Sequence, residues 1–427
     1  MKQVKISALF IAALSLFSCN NDKDYYDAEE TKNLIQSQYE AAFTNKFGNP
    51  NAGNSWGFVS ETKTRAVEPI VVPEGPAAPK DEDFAETVPS SAEYAGKKLE
   101  KSGDGKAYWI DGNTKSVNVW SGVIDLYITG DVALDNFNLP GAWSGGKGCA
   151  IYLCKDATLH LTTGQAGNLQ YRNQYYLAEG SKIVISDNSP TTKIMLNNVD
   201  IFNRGTIEAY NIEANQGSTF YNQGTVKIDG RFSAENGESK IVNEGVVTAG
   251  EFATQGSSSF WNYGNMDIAG KTSVNSTNAA WVNEGKYTTN DYEYMAGSTN
   301  VYQCCYLEVK NKLHVFLSNN PTGAFLIDAG GAAVAKTLHM QGPGNIKLGA
   351  KAMLKVTEEA IMQIGRDGGF GIHGIGNDYA VFTAAKVTNA LEATRTAYVV
   401  AYSGKLYVAT DNHFPQGNDG REDHPFI

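Results

Sequence analysis

The stretch Ile201-Phe202-Asn203-Arg204-Gly205 decides the fold, because the chain repeats its pattern of two apolar or aromatic residues, Asn, any residue and Gly. The further copies are Phe220–Gly224, Ile241–Gly245, Phe260–Gly264 and Trp281–Gly285. Their Asn-x-Gly units recur at intervals of 19, 21, 19 and 21 residues. Gly tolerates left-handed torsions and Asn forms hydrogen bonds around bends, so each unit predicts a corner. A corner that returns at a nearly constant interval predicts a solenoid.

Apolar residues alternate with polar ones between these corners. After Gly224 and after Gly264, for example, the second and fourth residues are Val226 and Ile228, and Met266 and Ile268. This period of two is typical of strands with one buried face. A second set of mostly apolar residues returns every 20 positions and comprises Ile212, Phe232, Phe252, Thr272 and Tyr292. The pattern predicts three strands per coil, with turns near Gly230, Gly250, Gly270 and Asn290, and near Gly217, Gly237 and Gly297.

The repeated phrase resembles the coils of right-handed parallel β-helices, and most closely the repeats of filamentous-haemagglutinin and autotransporter adhesin stalks. The resemblance covers about residues 197–310 and implies an all-β, right-handed parallel β-helix with about 20 residues per coil. We assign residues 92–410 to this solenoid. In such folds the Asn side chain lies inside the turn and bonds to its equivalent in the next coil. The resemblance therefore implies a structural ladder of Asn203, Asn222, Asn243, Asn262 and Asn283.

The first residues have the pattern of an export signal. Two lysines within Met1–Lys5 precede the apolar run Ile6–Phe17, which is too short to span a bilayer as a mature helix. Leu16-Phe17-Ser18-Cys19 resembles the lipobox of bacterial lipoproteins, although a Phe at the second position is unusual. The resemblance implies a signal peptide over 1–18 and a lipid on Cys19, which would make outer-membrane lipid a partner.

Three further segments precede the solenoid. Asn20–Asp24 is similar to the surface-export signals of Bacteroidetes lipoproteins, which implies an anchored protein that faces outward from the outer membrane. A helix carrying Ile35, Tyr39, Phe43 and Phe47 on one face is predicted within a tether and helical module over 19–65. Together with Tyr26-Asp27 and Asn54–Phe58, it resembles the N-terminal segment of Bacteroidetes surface lipoproteins. An alternative role for this helix is to cap the open end of the solenoid.

Proline marks the boundary before the solenoid. Five of the twelve prolines lie within residues 66–91, together with several acidic residues, which predicts an extended linker. At the other end, Tyr398–Tyr402 and Lys405–Val408 flank Ser403-Gly404 and predict a hairpin that covers the last coil. Residues 411–427 are predicted to be a polar tail.

Composition excludes some functions and leaves others open. The net charge of −11 argues against a nucleic-acid surface. No His has a His or Cys at metal-ligand spacing, so we predict neither a metal site nor a cofactor. Cys304 and Cys305 occupy the last two places of the next expected corner, after Gln303. Two thiols are favoured there over a vicinal disulfide, and a bridge between Cys149 and Cys154 stays open.

Catalysis is the less favoured hypothesis. Some parallel β-helices cleave polysaccharides, as lyases or glycoside hydrolases, with clustered acids. Glu244 and Glu284 stand two coils apart, at about 9.6 Å, near the upper limit of about 9.5 Å for the carboxylate pair of inverting glycosidases. We expect these side chains to form a solvated charge row at an exposed corner, and we assign no catalytic residue.

The residue before each Asn favours a binding function. The preceding residue shares the inward face with Asn, so this position should point outward, and it carries the aromatic residues Phe202, Tyr221, Trp261 and Tyr302. Exposed aromatic side chains in a line are typical of glycan-binding surfaces or of contacts with host or extracellular proteins. We therefore expect Trp261 to be partly exposed and Phe260 to be buried. The alternative is packing beneath a neighbouring loop or the N-terminal helix.

Overall fold

The computed structural model describes residues 58–60, 71–140, 148–166, 169, 172–185, 189–191, 194–295, 298–316, 323–328, 330–341, 345–363, 370–374, 379–389, 397–401 and 405–410. They belong to two compact units, one formed by residues 74–279 and the other by residues 1–73 and 280–427. The predicted signal peptide, Cys19, the helix that carries Ile35–Phe47 and the polar tail lie outside the described residues.

The first unit, residues 74–279, consists mainly of short strands. Strand β1 (Phe58–Ser60) precedes it in the chain and belongs to the second unit. Its strands are β2 (Glu93–Tyr94), β3 (Lys98–Lys101), β4 (Ala107–Ile110), β5 (Ser116–Val119), β6 (Asp125–Ile128), β7 (Asp131–Ala133), β8 (Asn136–Asn138), β9 (Ala150–Leu153), β10 (Thr158–Leu161), β11 (Gln174–Leu177), β12 (Lys182–Ile185), β13 (Ile194–Asn197), β14 (Asp200–Asn203), β15 (Thr206–Ala209), β16 (Ile212–Asn215), β17 (Thr219–Asn222), β18 (Thr225–Glu235), β19 (Lys240–Asn243), β20 (Val246–Gly256), β21 (Ser259–Asn262) and β22 (Asn265–Ser276). A 3₁₀ turn (Asp81–Asp83) and a single helical turn, α1 (Thr163–Ala166), complete the described elements.

Each strand of the first unit pairs in parallel with the equivalent strand of the next coil. One sheet follows the order β2-β4-β6-β9-β11-β14-β17-β19-β21, and a second follows β7-β10-β12-β15-β18-β20-β22. A third sheet, β3-β5-β8, is separate in the first coils, and β13 with β16 joins the second sheet at β18. This is a parallel β-solenoid with about 21 residues per turn, as the repeat predicts.

The turns predicted near Gly230, Gly250, Gly270 and Asn290 are absent from the structure. At Gly230 and Gly250 the chain continues as one 11-residue strand, β18 or β20, and β22 runs through Gly270. Asn290 lies within a strand of the second unit, Lys286–Tyr294. A register shift between Ile228 and Arg231 bends β18 at this point. Two of the three predicted strands per coil are therefore fused, because a bulge changes the direction of a strand without ending its hydrogen bonding.

The inward positions form the core. Ile201, Phe220, Ile241 and Phe260 are in register along the first sheet, and all four are buried. The Phe220 ring lies 5.1 Å from that of Phe232 in the second sheet, measured between ring centroids, in an edge-to-face contact. Burial of these rings supplies the main driving force for folding. The prediction that Phe260 is buried is confirmed.

The Asn ladder is confirmed within this unit. Asn203 Nδ2 donates to Asn222 Oδ1 at 2.7 Å, Asn222 Nδ2 to Asn243 Oδ1 at 2.8 Å, and Asn243 Nδ2 to Asn262 Oδ1 at 2.7 Å. These side chains are buried. Because a buried polar group without a partner costs free energy, each amide stabilises the coil above and below it.

The reason for the glycine at each corner differs from the predicted one. Gly224 and Gly245 do not have positive φ angles, whereas Gly217 and Gly237, at the opposite turns, do. A Cβ on Gly224 would lie 2.2 Å from the carbonyl oxygen of Gly205, and one on Gly245 would lie 2.1 Å from that of Gly224. The corner glycines are therefore required by close approach between coils.

Strands of the second unit repeat the same architecture. They are β1, already given, and β23 (Ala280–Asn283), β24 (Lys286–Tyr294), β25 (Asn300–Gln303), β26 (Tyr306–Phe316), β27 (Phe325–Ile327), β28 (Ala332–Gln341), β29 (Asn345–Leu348), β30 (Met353–Gln363), β31 (Phe370–Gly374), β32 (Tyr379–Asn389), β33 (Ala397–Ala401) and β34 (Lys405–Thr410). Odd-numbered strands from β23 to β33 pair in parallel in one sheet, and even-numbered strands from β24 to β34 pair in parallel in the other. The parallel β-solenoid fold is thus present in both units.

The predicted C-terminal hairpin is wrong. β33 pairs in parallel with β31, and β34 pairs in parallel with β32, so the two strands belong to different sheets of one further coil. The outer edge of β34 is covered by β1, which pairs with it antiparallel, with Phe58 opposite Tyr407. A short strand from the start of the chain therefore covers an edge that would otherwise present free backbone groups.

The corner at Cys304 departs from the repeat but keeps its hydrogen bonding. Asn283 Nδ2 donates to Gln303 at 2.9 Å, so Gln303 takes the place of the next Asn. Cys149, Cys154 and Cys304 form no disulfide bond, which excludes both the vicinal bridge and a Cys149–Cys154 bridge. The prediction of a thiol at this corner is therefore confirmed for Cys304.

Candidate functional site

An outward row of mostly aromatic side chains runs along the first sheet of the first unit. The strand register aligns nine positions, which we call the aromatic row: Tyr94, Trp109, Tyr127, Tyr152, Tyr176, Phe202, Tyr221, Val242 and Trp261. Sequence reasoning found only the members from Phe202 onward, because the earlier coils lack the Asn-x-Gly phrase. Their signal is weaker and consists of an aromatic residue between two apolar ones, as in Ile151-Tyr152-Leu153.

Rings in the middle of the row stack on one another. The ring centroids of Tyr127 and Tyr152 are 4.7 Å apart, those of Tyr152 and Tyr176 are 5.1 Å apart, and those of Tyr176 and Phe202 are 5.1 Å apart. Parallel strands separated by about 4.8 Å impose this spacing. Burial raises the pKa of the Tyr176 hydroxyl to about 12. The ring faces are thus used within the row, and mainly ring edges point away from the sheet.

A segment that precedes the first coil lies across part of this row. We call residues 74–86 the strap. Near its start, a Cβ on Gly75 would lie 2.7 Å from the Tyr263 hydroxyl and 3.3 Å from Trp261 Cγ, so only a residue without a side chain fits there without displacing its neighbours. At its end, the carbonyl oxygen of Glu86 accepts a hydrogen bond of 3.0 Å from the Lys155 amide.

Arg204 is the main polar contact of the strap. Its Nη2 lies 2.8 Å from Asp81 Oδ1 and donates to the Pro79 carbonyl oxygen at 3.5 Å. The guanidinium carbon stands 4.0 Å above the centroid of the Phe84 ring, a cation–π geometry. The Phe84 ring also packs edge to face against the Tyr176 ring, with ring centroids 6.0 Å apart. In the middle of the row, the strap is therefore attached by the Asp81–Arg204 ion pair, by the hydrogen bond to Pro79 and by the contacts of Phe84 with Arg204 and Tyr176.

The expected exposure of the candidate ligand-binding residues is wrong for three of the four. Trp261 is 6% exposed, and Tyr221 and Tyr302 are also buried, whereas Phe202 is half-buried. In the first unit the alternative interpretation holds, because a neighbouring segment lies over this part of the row. Tyr302, in the second unit, hydrogen-bonds to Asn300 Nδ2 at 3.1 Å. Whether any of these residues binds a ligand stays a prediction.

The first member of the row is open. Tyr94 is 46% exposed, and its ring lies 4.3 Å from that of Trp109 between centroids, at an angle of 34°. Its hydroxyl donates to Asp111 Oδ1 at 2.9 Å, and this hydrogen bond raises the pKa of Tyr94. Partial burial opposes ionisation of Asp111, but hydrogen bonds from Asn113 and Tyr94 outweigh that effect and lower its pKa. An aromatic platform with an adjacent carboxylate and amide results.

The corner residue Glu244 does not have the environment of a catalytic acid. Its Oε1 accepts a hydrogen bond of 2.6 Å from the Tyr221 hydroxyl, and its Oε2 accepts one of 2.8 Å from Gln223 Nε2. Gln223 Oε1 in turn accepts from Arg204 Nε at 3.0 Å. The corner row was expected to be solvated, but here it forms a part-buried hydrogen-bonded ladder. Both carboxylate oxygens of Glu244 are therefore engaged in holding the coils together.

Other candidate chemistry is weak in the described part of the chain. There, no group of three or more His, Cys, Asp or Glu residues could hold a metal ion. His314 and His339 stack with ring centroids 5.0 Å apart, and their Nε2 atoms hydrogen-bond to Gln341 and Gln363. Among the described residues, no helix is both long and apolar enough to cross a membrane. No protein family, curated protein or solved structure matches this chain.

Proposed function

We propose that this chain is a lipid-anchored cell-surface protein that binds glycans without catalysing a reaction on them. The observation that carries the proposal is the open end of the aromatic row, where Tyr94 is exposed, stacks on Trp109 and donates a hydrogen bond to Asp111. The parallel β-solenoid fold is compatible with adhesins and with polysaccharide-active proteins, so the side chains must distinguish between these classes.

The chemistry of this end suits a sugar ring. The C–H faces of a pyranose are apolar and pack on an aromatic face, which Tyr94 can offer because Trp109 holds its ring in place. Asp111 is fixed by the Asn113 amide nitrogen at 2.9 Å and by Asn113 Nδ2 at 3.1 Å. A carboxylate and an amide beside an aromatic ring can accept and donate hydrogen bonds to sugar hydroxyls. The site thus lies at Tyr94, several coils before the residues that the sequence favoured.

Catalysis has no support among the described residues. The hypothesis of a polysaccharide-degrading enzyme depends on Glu244, and both carboxylate oxygens of Glu244 accept hydrogen bonds from neighbouring side chains. A lyase or glycoside hydrolase requires acids that are free to exchange protons with the substrate. We therefore do not favour a polysaccharide-degrading enzyme as a second function.

A glycan array tests the binding role. Applied to the chain without residues 1–24, it should give a responsive glycan, and Tyr94→Ala should lose that response while the circular dichroism spectrum is unchanged. The matched control is Trp120→Ala, because Trp120 is an exposed aromatic residue, 58% accessible, that lies outside the row. If Trp120→Ala abolishes glycan binding and Tyr94→Ala does not, the glycan does not bind at Tyr94. A response to immobilised host or extracellular proteins instead of glycans would contradict the ligand class.

Lipid attachment at Cys19 is tested separately. With labelled palmitate supplied to the cells, the native chain should take up label and reach the cell surface, and Cys19→Ala should take up none, because the thiol that receives the lipid is gone. Cys304→Ala is the control, since Cys304 is a partly exposed cysteine that forms no disulfide bond. Undiminished labelling of Cys19→Ala would refute the anchor without affecting the glycan proposal.

A further inference from the structure

We propose that the covered part of the aromatic row is a binding groove for extended proline-rich peptide segments, and that the strap is its resident ligand. This inference is independent of the glycan proposal, because it concerns Tyr152 to Trp261 and not the open end at Tyr94. The strap itself shows which peptide chemistry the groove accepts.

The strap has the pattern of a polyproline-type ligand. Its Pro76-Ala77-Ala78-Pro79 stretch is a Pro-x-x-Pro unit and has no regular secondary structure. Prolines restrict φ and lack an N–H group, so such a segment loses little conformational freedom on binding and buries few donors. Peptides of this kind are recognised by grooves lined with aromatic side chains. The aromatic row offers aromatic side chains of that kind beneath the strap.

Three contacts give the groove its specificity. A small residue is favoured at the position of Gly75, because a Cβ there would lie 2.7 Å from the Tyr263 hydroxyl and 3.3 Å from Trp261 Cγ. An acid two residues after the second proline, Asp81, meets Arg204, and an aromatic residue three positions further, Phe84, inserts between Arg204 and Tyr176. The preferred ligand is therefore Gly-Pro-x-x-Pro-x-acid-x-x-Phe.

The groove is preformed and its cover is weakly held. Every strand beneath the row is paired with strands on neighbouring coils, so the stacking of Tyr152, Tyr176 and Phe202 comes from the sheet and does not require the strap. No residue of the strap is fully buried. A surface segment with few buried contacts can open locally while the sheet stays folded. Because the strap is tethered close to the groove, its effective concentration is of millimolar order, and it should exclude weaker peptides.

Peptide binding to a chain with a weakened strap tests the inference. The full-length variant Asp81→Ala/Phe84→Ala removes both side-chain anchors, and a fluorescent peptide with the native sequence of residues 74–86 is the probe. By fluorescence anisotropy the peptide should bind this variant at least about tenfold more tightly than the native chain, in which the strap competes. Hydrogen exchange at the Lys155 amide should be faster in the variant, because that amide donates to Glu86 of the strap.

Two controls complete the experiment. Glu82→Ala is the matched strap variant, since Glu82 pairs only with Lys80 among the described contacts, on the exposed side of the turn, and should leave the groove occupied. Adding Arg204→Ala to the weakened-strap variant should reduce peptide affinity by about tenfold, because the peptide then loses both the ion pair of its Asp81 equivalent and the cation–π contact of its Phe84 equivalent. Equal peptide binding by native and variant chains, or no binding by a variant with fast exchange at Lys155, would overturn the proposal. Unchanged exchange at Lys155 would also overturn it, because the named anchors would not then hold the strap.

Discussion

Tyr94 and Trp261 occupy equivalent places in the aromatic row, yet Tyr94 is 46% exposed and Trp261 is 6% exposed. Both side chains point away from the core, as strand alternation requires. Two features explain the difference: the strap meets Trp261 at Gly75 and has no described contact with Tyr94, and Tyr94 lies on β2, the end strand of its sheet. Direction and exposure are therefore separate properties of an outward side chain, and only direction follows from the position in the strand.

The largest expected effect on stability distinguishes the inward side chain of Phe260 from the outward, strap-covered side chain of Trp261. Phe260→Ala should lower the free energy of unfolding by about 3–5 kcal/mol, because it leaves a cavity among rings that are fully enclosed by the coil. Trp261→Ala should cost clearly less, because one side of the indole is covered only by a half-buried strap. Urea unfolding followed by far-UV circular dichroism measures both variants. A greater loss for Trp261→Ala would mean that the strap is part of the core.

An intermediate effect is expected from the ladder beneath the corner. Asn243→Leu should lower the free energy of unfolding by about 1–3 kcal/mol, since Asn222 Nδ2 and Asn262 Oδ1 would lose buried partners. Asn275→Leu is the matched control, because Asn275 is exposed on β22. An unchanged melting temperature for Asn243→Leu would show that the ladder does not stabilise the covered coils more than an exposed amide does.

The smallest effect concerns an outward position that keeps contact with solvent. Glu208 lies 2.6 Å from Lys182 and 3.2 Å from Lys227, and the hydrogen bond from Lys182 is the main cause of its lowered pKa. Because the folded pKa lies below the unfolded one, the stabilisation is present above the ordinary value of 4.5 and is lost as the pH falls through the folded pKa.

Glu208→Gln should therefore cost less than about 1 kcal/mol at neutral pH and should reduce the acid sensitivity of stability. Urea unfolding measured between neutral and acidic pH, at low and high salt, tests this expectation. Raised salt should shrink the difference between native and variant chains, because partly exposed charges are screened. A large effect that does not change with salt would indicate that this outward pair is as enclosed as Trp261.

Much of the fold follows from local patterns. The Asn-x-Gly interval and the apolar alternation predict parallel coils, the buried ladder and the inward position of Phe260, because strand geometry couples sequence position to direction every two residues. The sequence did not reveal why the corner positions need glycine or which sheets the last two strands join. The corner glycines admit a carbonyl oxygen of the preceding coil, and β33 and β34 enter two sheets where a hairpin was expected. In both cases the deciding partner lies a full coil away.

By itself, the sequence determined that the chain forms parallel coils, which strand faces meet the core and where the Asn-x-Gly corners lie, because these properties follow from the repeat and from neighbours within one coil. Only the tertiary structure decided that the outward row is closed over Trp261 and open at Tyr94. Arg204 and Pro79 are 125 positions apart in the chain, and no periodicity connects them. A contact of that kind depends on where the strap, which is not part of the repeat, packs on the coils, and the repeat does not encode that position.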